Sequence, residues 1–131
     1  MEDIVAFMLK IRWDIKEGQE PEFRANQEAL CKVMLDHPGV IAYHAEYPAP
    51  GVSEWTEIYA TDSAFIAHLD NEKGKVPLGT IVEACDKVTC RCFGDPTDES
   101  KETLAAFGTT YHESASNSFV LNPLADRDSA V

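Results

Sequence analysis

The sequence predicts an α+β fold: a ferredoxin-like β-α-β-β-α-β unit with an antiparallel sheet, helices on one face, and a C-terminal appendage. Three observations carry this. Four segments, residues 5–15, 40–47, 53–60 and 86–93, alternate along the chain with the period of two that a pleated strand shows. Residues 22–36 and 62–85 instead repeat apolar side chains at helical spacing. Gly18, His37-Pro38-Gly39, Pro48-Ala49-Pro50-Gly51 and Gly94-Asp95-Pro96 punctuate these segments.

In the first strand Val5, Phe7, Leu9, Ile11, Trp13 and Ile15 form one unbroken apolar face, while Ala6, Met8, Lys10, Arg12 and Asp14 form a mixed one. That pattern suits a sheet covered by helices on one side and by something else on the other. Pro21 can open the first helix, where its missing N–H costs nothing, and Phe23, Gln27, Leu30 and Met34 follow on one helical stripe. His37-Pro38-Gly39 stops that helix. The second strand alternates Ile41, Tyr43, Ala45 and Tyr47 with Val40, Ala42, His44 and Glu46, and residues 48–51 read as the long loop of a hairpin.

The chain is organised around residues 53–69, SEWTEIYATDSAFIAHL. Trp55, Glu57 and Tyr59 share one strand face. Thr61 or Asp62 can then cap a helix by accepting backbone N–H bonds. Ala64, Phe65, His68 and Leu69 follow on one helical face, which aims an imidazole into an apolar surface. Residues 70–75, DNEKGK, read as the end of this helix. Pro77 opens a second piece carrying Leu78, Ile81, Val82 and Cys85. The last main strand puts Val88, Cys90 and Cys92 on one face. Thr97 or Asp98 can cap a short helix over residues 101–107, closed by Gly108, and the last eight residues read as frayed. Residues 1–95 thus form the domain and 96–131 a helical or irregular extension.

The length, 131 residues, fits one domain. The formal net charge of −12, from 23 acidic against 11 basic residues, repels phosphate backbones and anionic lipid surfaces, so neither nucleic acid nor a membrane is expected as a partner. No signal peptide or membrane span is legible, which points to the cytoplasm. In that compartment Cys31, Cys85, Cys90 and Cys92 are expected as free thiols, and their spacing announces no metal site. The helix-free sheet face needs a cover. Ala6, Met8, Ile58 and Val88 are its candidate apolar residues, and a second copy of the sheet would bury them.

Three stretches, KIRWDIKEG, HPGVIAYHAEY and above all EIYATDSAFIAH, resemble the antibiotic biosynthesis monooxygenase family over about residues 5–93. In that family the last piece reads as a strand Glu, an aromatic two residues on and a helix His, which fall here on Glu57, Tyr59 and His68. Tyr59 stands where a tryptophan is frequent. The resemblance implies a homodimer, a dimeric α+β barrel with its two sheets facing, and a pocket in each subunit between helices and sheet. It also implies oxidation of a small aromatic, quinol or quinone-type substrate by molecular oxygen with no cofactor and no metal. Other proteins sharing the fold degrade haem, isomerise sugars or have no known activity, and the alternative functions here are a non-catalytic small-molecule-binding dimer or haem degradation.

Within this frame His68 is the expected catalytic base, able to take a proton from a phenol near neutral pH. Glu57 orients it, or else pairs with Lys10 or Arg12 across the sheet. Trp13, Tyr43, Tyr59 and Phe65 are the expected substrate-binding aromatics. His37 and His44 are expected at the surface, and His112 in the extension is a further candidate for the pocket of either subunit.

Overall fold

The structure, a computed structural model, describes residues 7–113. Ala6, the expected start of the first strand at residue 5 and the expected frayed tail lie outside the described residues. Strand β1 (Phe7–Ile15) leads through α1 (Glu20–Leu35) to the hairpin β2 (Val40–Ala49) and β3 (Val52–Tyr59). Helices α2 (Asp62–Asp70) and α3 (Glu72–Glu83) return the chain to β4 (Cys85–Phe93). Helix α4 (Asp98–Leu104), a 3-10 turn (Ala105–Phe107) and β5 (Thr110–His112) follow.

The sheet order is β2-β3-β1-β4-β5. The first four strands pair antiparallel, as the ferredoxin-like order requires. The sheet as a whole is mixed, because β5 runs parallel to β4. This corrects the expected all-antiparallel sheet. Three residues are too few to show a period, so β5 left no mark in the sequence. It pairs parallel because α4 and the 3-10 turn carry the chain back along the sheet before it resumes beside β4.

Register decides which side chains meet the helices. Leu9 pairs with both Glu57 and Cys92, and Trp13 with Ser53 and Val88, so these residues share the helix-covered face. Val88 therefore packs with the core around Trp13 and is not on the outer face where the sequence reading had placed it. Met8 and Ile58 do pair on the outer face. They are joined there by Ala42 and Phe93 at the same end of the sheet.

The helix-side core is one continuous filling in two lobes. Phe7, Leu9, Tyr59, Phe65, Cys90, Cys92 and Leu104 fill one end, and Trp13, Phe23, Leu30, Met34, Trp55 and Ile81 the other. The β2–β3 connection is tighter than the expected long loop: Ala49 pairs with Val52 across Pro50-Gly51. Proline fits the first corner of that turn and Gly51, at φ +75°, the second. Helix α3 begins at Glu72, not at Pro77. Asn71 caps it by accepting from the Lys73 N–H at 3.0 Å, so the polar stretch restarts a helix immediately. Gly74 lies inside α3 because a Cβ there would stand 3.2 Å from Leu30 Cδ1, which lets α3 press closely onto α1.

Gly39 fixes the entry to α2. Its φ is +86°, and a Cβ on it would lie 2.4 Å from the Ala64 Cβ. Its carbonyl accepts from the Ala60 N–H at 2.8 Å. One turn before His68, the start of α2 is thus locked against the end of α1.

Candidate active site

Thr61 caps α2 by accepting from the Ala64 N–H at 3.1 Å, which sets the helix phase. With that phase Phe65 and His68 point to the sheet, and His68 is only 5% exposed. Beneath it on β3 lie Glu57 and Tyr59, both buried, on alternate positions of one strand face. The Tyr59 hydroxyl donates to a Glu57 carboxylate oxygen. The Tyr59 ring stacks on the His68 imidazole with centroids 5.9 Å apart. Tyr43, cross-strand from Glu57, meets the same imidazole edge-on at 5.6 Å.

Tyr43, Glu57, Phe65 and His68 border a cavity of about 30 Å³, enough for a water or two. Of the expected site residues, Trp13, Tyr43, Glu57, Phe65 and His68 line it. Tyr59 does not; it lies behind, bonded to Glu57 and stacked on His68. Trp13 Nε1, the Tyr43 hydroxyl and His68 Nδ1 are buried without a hydrogen-bond partner. Buried polar atoms are nearly always paired, and the three residues that carry these unpaired ones all line this cavity. A larger open groove of about 360 Å³ runs past Cys31, Leu35 and β2 and shares Tyr43 with the cavity, whereas Trp13 and His68 line the cavity alone.

Burial works in opposite directions on the two titratable groups. Desolvation raises Glu57 to about 7 although the Tyr59 hydrogen bond opposes it. Desolvation, helped by the charge of His37, lowers His68 to about 4. At neutral pH His68 is therefore unprotonated and free to accept a proton, while Glu57 is poised between acid and carboxylate. Desolvation first, and the Glu57 charge next, push both Tyr43 and Tyr59 well above the ordinary phenol range, so both stay neutral.

Glu57 makes no hydrogen bond to His68; its partner is Tyr59. Lys10 and Arg12 are on the opposite sheet face, and Arg12 bonds Asp14 and approaches Glu54 instead, so the expected cross-sheet pairing with Glu57 does not form. His44 is exposed and His37 half-buried, edge-on to His68 at 6.4 Å. His112 bonds Thr110 and stacks on Phe93 on the outer face, away from the cavity of its own chain. The sequence reading missed three lining residues of consequence: Trp55, Leu104 and Phe107. Trp55 could have been found, since it precedes Glu57 by two on the same face. Among the described residues no three His, Cys, Asp or Glu side chains gather as they would around a metal ion.

No family model matches the sequence, and no curated protein matches it. Solved structures do. One from Caulobacter crescentus, described as a “putative antibiotic biosynthesis monooxygenase”, superimposes with a TM-score of 0.60 at 17% identity over 67% of this chain and 87% of its own. This chain has the fold of those monooxygenases. A protein of the same description from Bacteroides thetaiotaomicron gives 0.61 at 21% identity, over 66% and 85%. MupZ from Pseudomonas fluorescens gives 0.64 at 14% identity, and the match spans 92% of this chain and 98% of that one. At such identities the antibiotic biosynthesis monooxygenase fold is what is shared. MupZ is similar along almost the whole length, whereas the other two leave about a third of this chain unmatched.

Proposed function

We propose that the protein is a cofactor-independent monooxygenase acting on a small hydroxylated aromatic, such as a phenol or quinol, with dioxygen as co-substrate. One observation carries the reading: a buried histidine whose Nδ1 lacks a partner lines a cavity walled by aromatics. His68 takes the substrate hydroxyl proton, and the ring becomes an electron-rich anion that reduces dioxygen directly. The balance closes without an external reductant. The ring gains one oxygen atom and gives up two hydrogens, and the second oxygen atom leaves as water. Glu57 acts on His68 at one remove, by holding the Tyr59 ring that the imidazole stacks on.

A phenol of ordinary acidity is a far weaker acid than the His68 imidazolium, whose value is about 4. Proton transfer becomes less uphill when the phenolate stays beside the imidazolium, since an opposite charge at contact raises the histidine in a site that excludes water, and the reaction with dioxygen then draws the anion off. Trp13 Nε1 and the Tyr43 hydroxyl can then satisfy substrate oxygens.

Oxygen uptake with a panel of hydroquinones tests this directly. Turnover by the wild type and a loss of about 10²-fold or more in folded His68→Ala support it. Full activity in that variant overturns the base assignment. Binding without oxygen uptake would make the protein a non-catalytic small-molecule binder.

The proposal includes a homodimer through the outer sheet face. Ala42, Met8, Ile58 and Phe93 make one end of that face apolar. The rest is polarised: Glu46 and Glu54 lie on β2 and β3, whereas Lys10, Arg12, Lys87 and Arg91, with Asp14 as the one acid among them, lie on β1 and β4. A two-fold axis along the strands sets the apolar ends together and brings acidic β3 opposite basic β4.

A further inference from the structure

The cavity is too small for the substrate class proposed above. About 30 Å³ is well short of the roughly 150 Å³ that accommodates a benzene ring. A wall must yield, and the walls differ in how they are held. Trp13, Trp55 and Phe65 are fixed in the core by several aromatic contacts each. Ile11, at the centre of the sheet on the helix side, is nevertheless only half-buried, as are Leu69, Leu78 and Phe107. The helix layer therefore has a gap above Ile11, bounded on one side by the extension.

That extension is tied down at two points. Asp62 Oδ1, at the start of α2, accepts from the Thr97 N–H at 2.9 Å, the Thr97 hydroxyl at 3.1 Å and the Ser100 hydroxyl at 2.6 Å. At the other end β5 pairs with β4, Thr110 opposite Arg91, and within the extension the Thr109 hydroxyl donates to the Leu104 carbonyl at 2.7 Å, just beyond Gly108 in the left-handed region at φ +61°. Between these ties Leu104 is buried against the core and Phe107 overhangs the gap.

We propose that Phe107, presented by the extension and held over the gap by the Asp62 clasp, determines the size of ring the site accepts. This rests on the aromatic-substrate reading for the class of ligand. It does not require that the site catalyse anything. The Phe107 ring is an apolar plug that a one-ring ligand displaces sideways and a larger one cannot pass. A shorter side chain opens the same space permanently.

Phenol, 2-naphthol and 2-anthrol, titrated calorimetrically into the full chain, test the proposal. The wild type is expected to bind phenol more tightly than 2-naphthol. In Phe107→Ala the ratio of the two dissociation constants should shift toward 2-naphthol by about tenfold or more, with 2-anthrol binding measurable. Merely loosened packing would weaken all three ligands together and leave the ratio alone. Phe107→Leu should shift the ratio in the same direction by less, and decides the matter if the alanine variant does not fold. Asp62→Ala, which keeps the Phe107 side chain but releases the clasp that holds it over the gap, should also reduce discrimination. A ratio unchanged in both folded Phe107 variants overturns the proposal, as does absence of binding by all three ligands in wild type and variant. A shifted ratio with no oxygen uptake upholds the size rule and overturns the oxygenase reading.

Discussion

Glu57 and His68 should leave opposite marks on stability as pH changes, and the marks should cancel in the wild type. Glu57 is raised from 4.5 to about 7 by burial. Between those values the folded protein keeps a proton that the unfolded chain has lost, so stability falls as pH rises through the window. His68 is lowered from 6.5 to about 4. Between those values the unfolded chain holds a proton that the folded protein rejects, so stability rises with pH. At about 1.4 kcal/mol per pH unit of separation, each group contributes roughly 3 kcal/mol across its window. From about pH 4.5 to 6.5 the two slopes oppose each other and nearly vanish together. Glu57→Gln should expose the histidine alone, with stability climbing about 3 kcal/mol from pH 4 to 6.5 relative to the wild type. His68→Gln should expose the glutamate alone, with stability dropping by a similar amount from pH 4.5 to 7. Urea unfolding at half-unit pH steps reads both slopes, and surface carboxylates contribute equally to all three proteins. Identical pH slopes in wild type and Glu57→Gln would refute the assignment of a buried, proton-bearing Glu57.

Further outcomes follow from the same geometry. Tyr59→Phe removes the hydrogen bond that holds Glu57 down, so the pH window over which Glu57 costs stability should extend further above 7 in urea unfolding while the fold, by far-ultraviolet circular dichroism, is kept. Gly39→Ala places a methyl group 2.4 Å from the Ala64 Cβ at φ +86°, and should lower stability by about 2 kcal/mol or more in thermal melts, with a loss of activity through the shift of α2. Light scattering should return the mass of two chains at micromolar concentration. Glu54→Lys, which sets like charges across the two-fold, should favour the monomer, more so at low salt than at high.

The sequence carried the fold because its strands and helices each keep their period without interruption. β1 shows five apolar residues in strict alternation, and α1 and α2 end at Pro-Gly or Asn where the pattern says they should. His68 and Glu57 stood out for the same reason, as polar groups on apolar faces. Register was less legible. Val88 could be assigned to a face only by knowing that it pairs with Trp13. The Tyr59–Glu57 bond, in place of a Glu57–His68 bond, depends on side-chain reach across a helix–sheet gap that no spacing encodes. The wall formed by Leu104 and Phe107 was hidden because a seven-residue helix and a three-residue strand acquire meaning only from what they pack against.

The parallel strand β5 has a consequence for how the chain keeps apart from its neighbours. Unpaired strand edges recruit other chains. By lying along β4, β5 closes part of one border of the sheet, and being three residues long it offers little ladder of its own. That leaves β2, ten residues long, as the extended open border among the described residues. There the ladder is broken by register shifts between Val40 and Ala42 and between Glu46 and Ala49, and Pro48 has no N–H to offer. Among the described residues strand addition finds no long flat edge on either side, which leaves the broad face to the proposed homodimer.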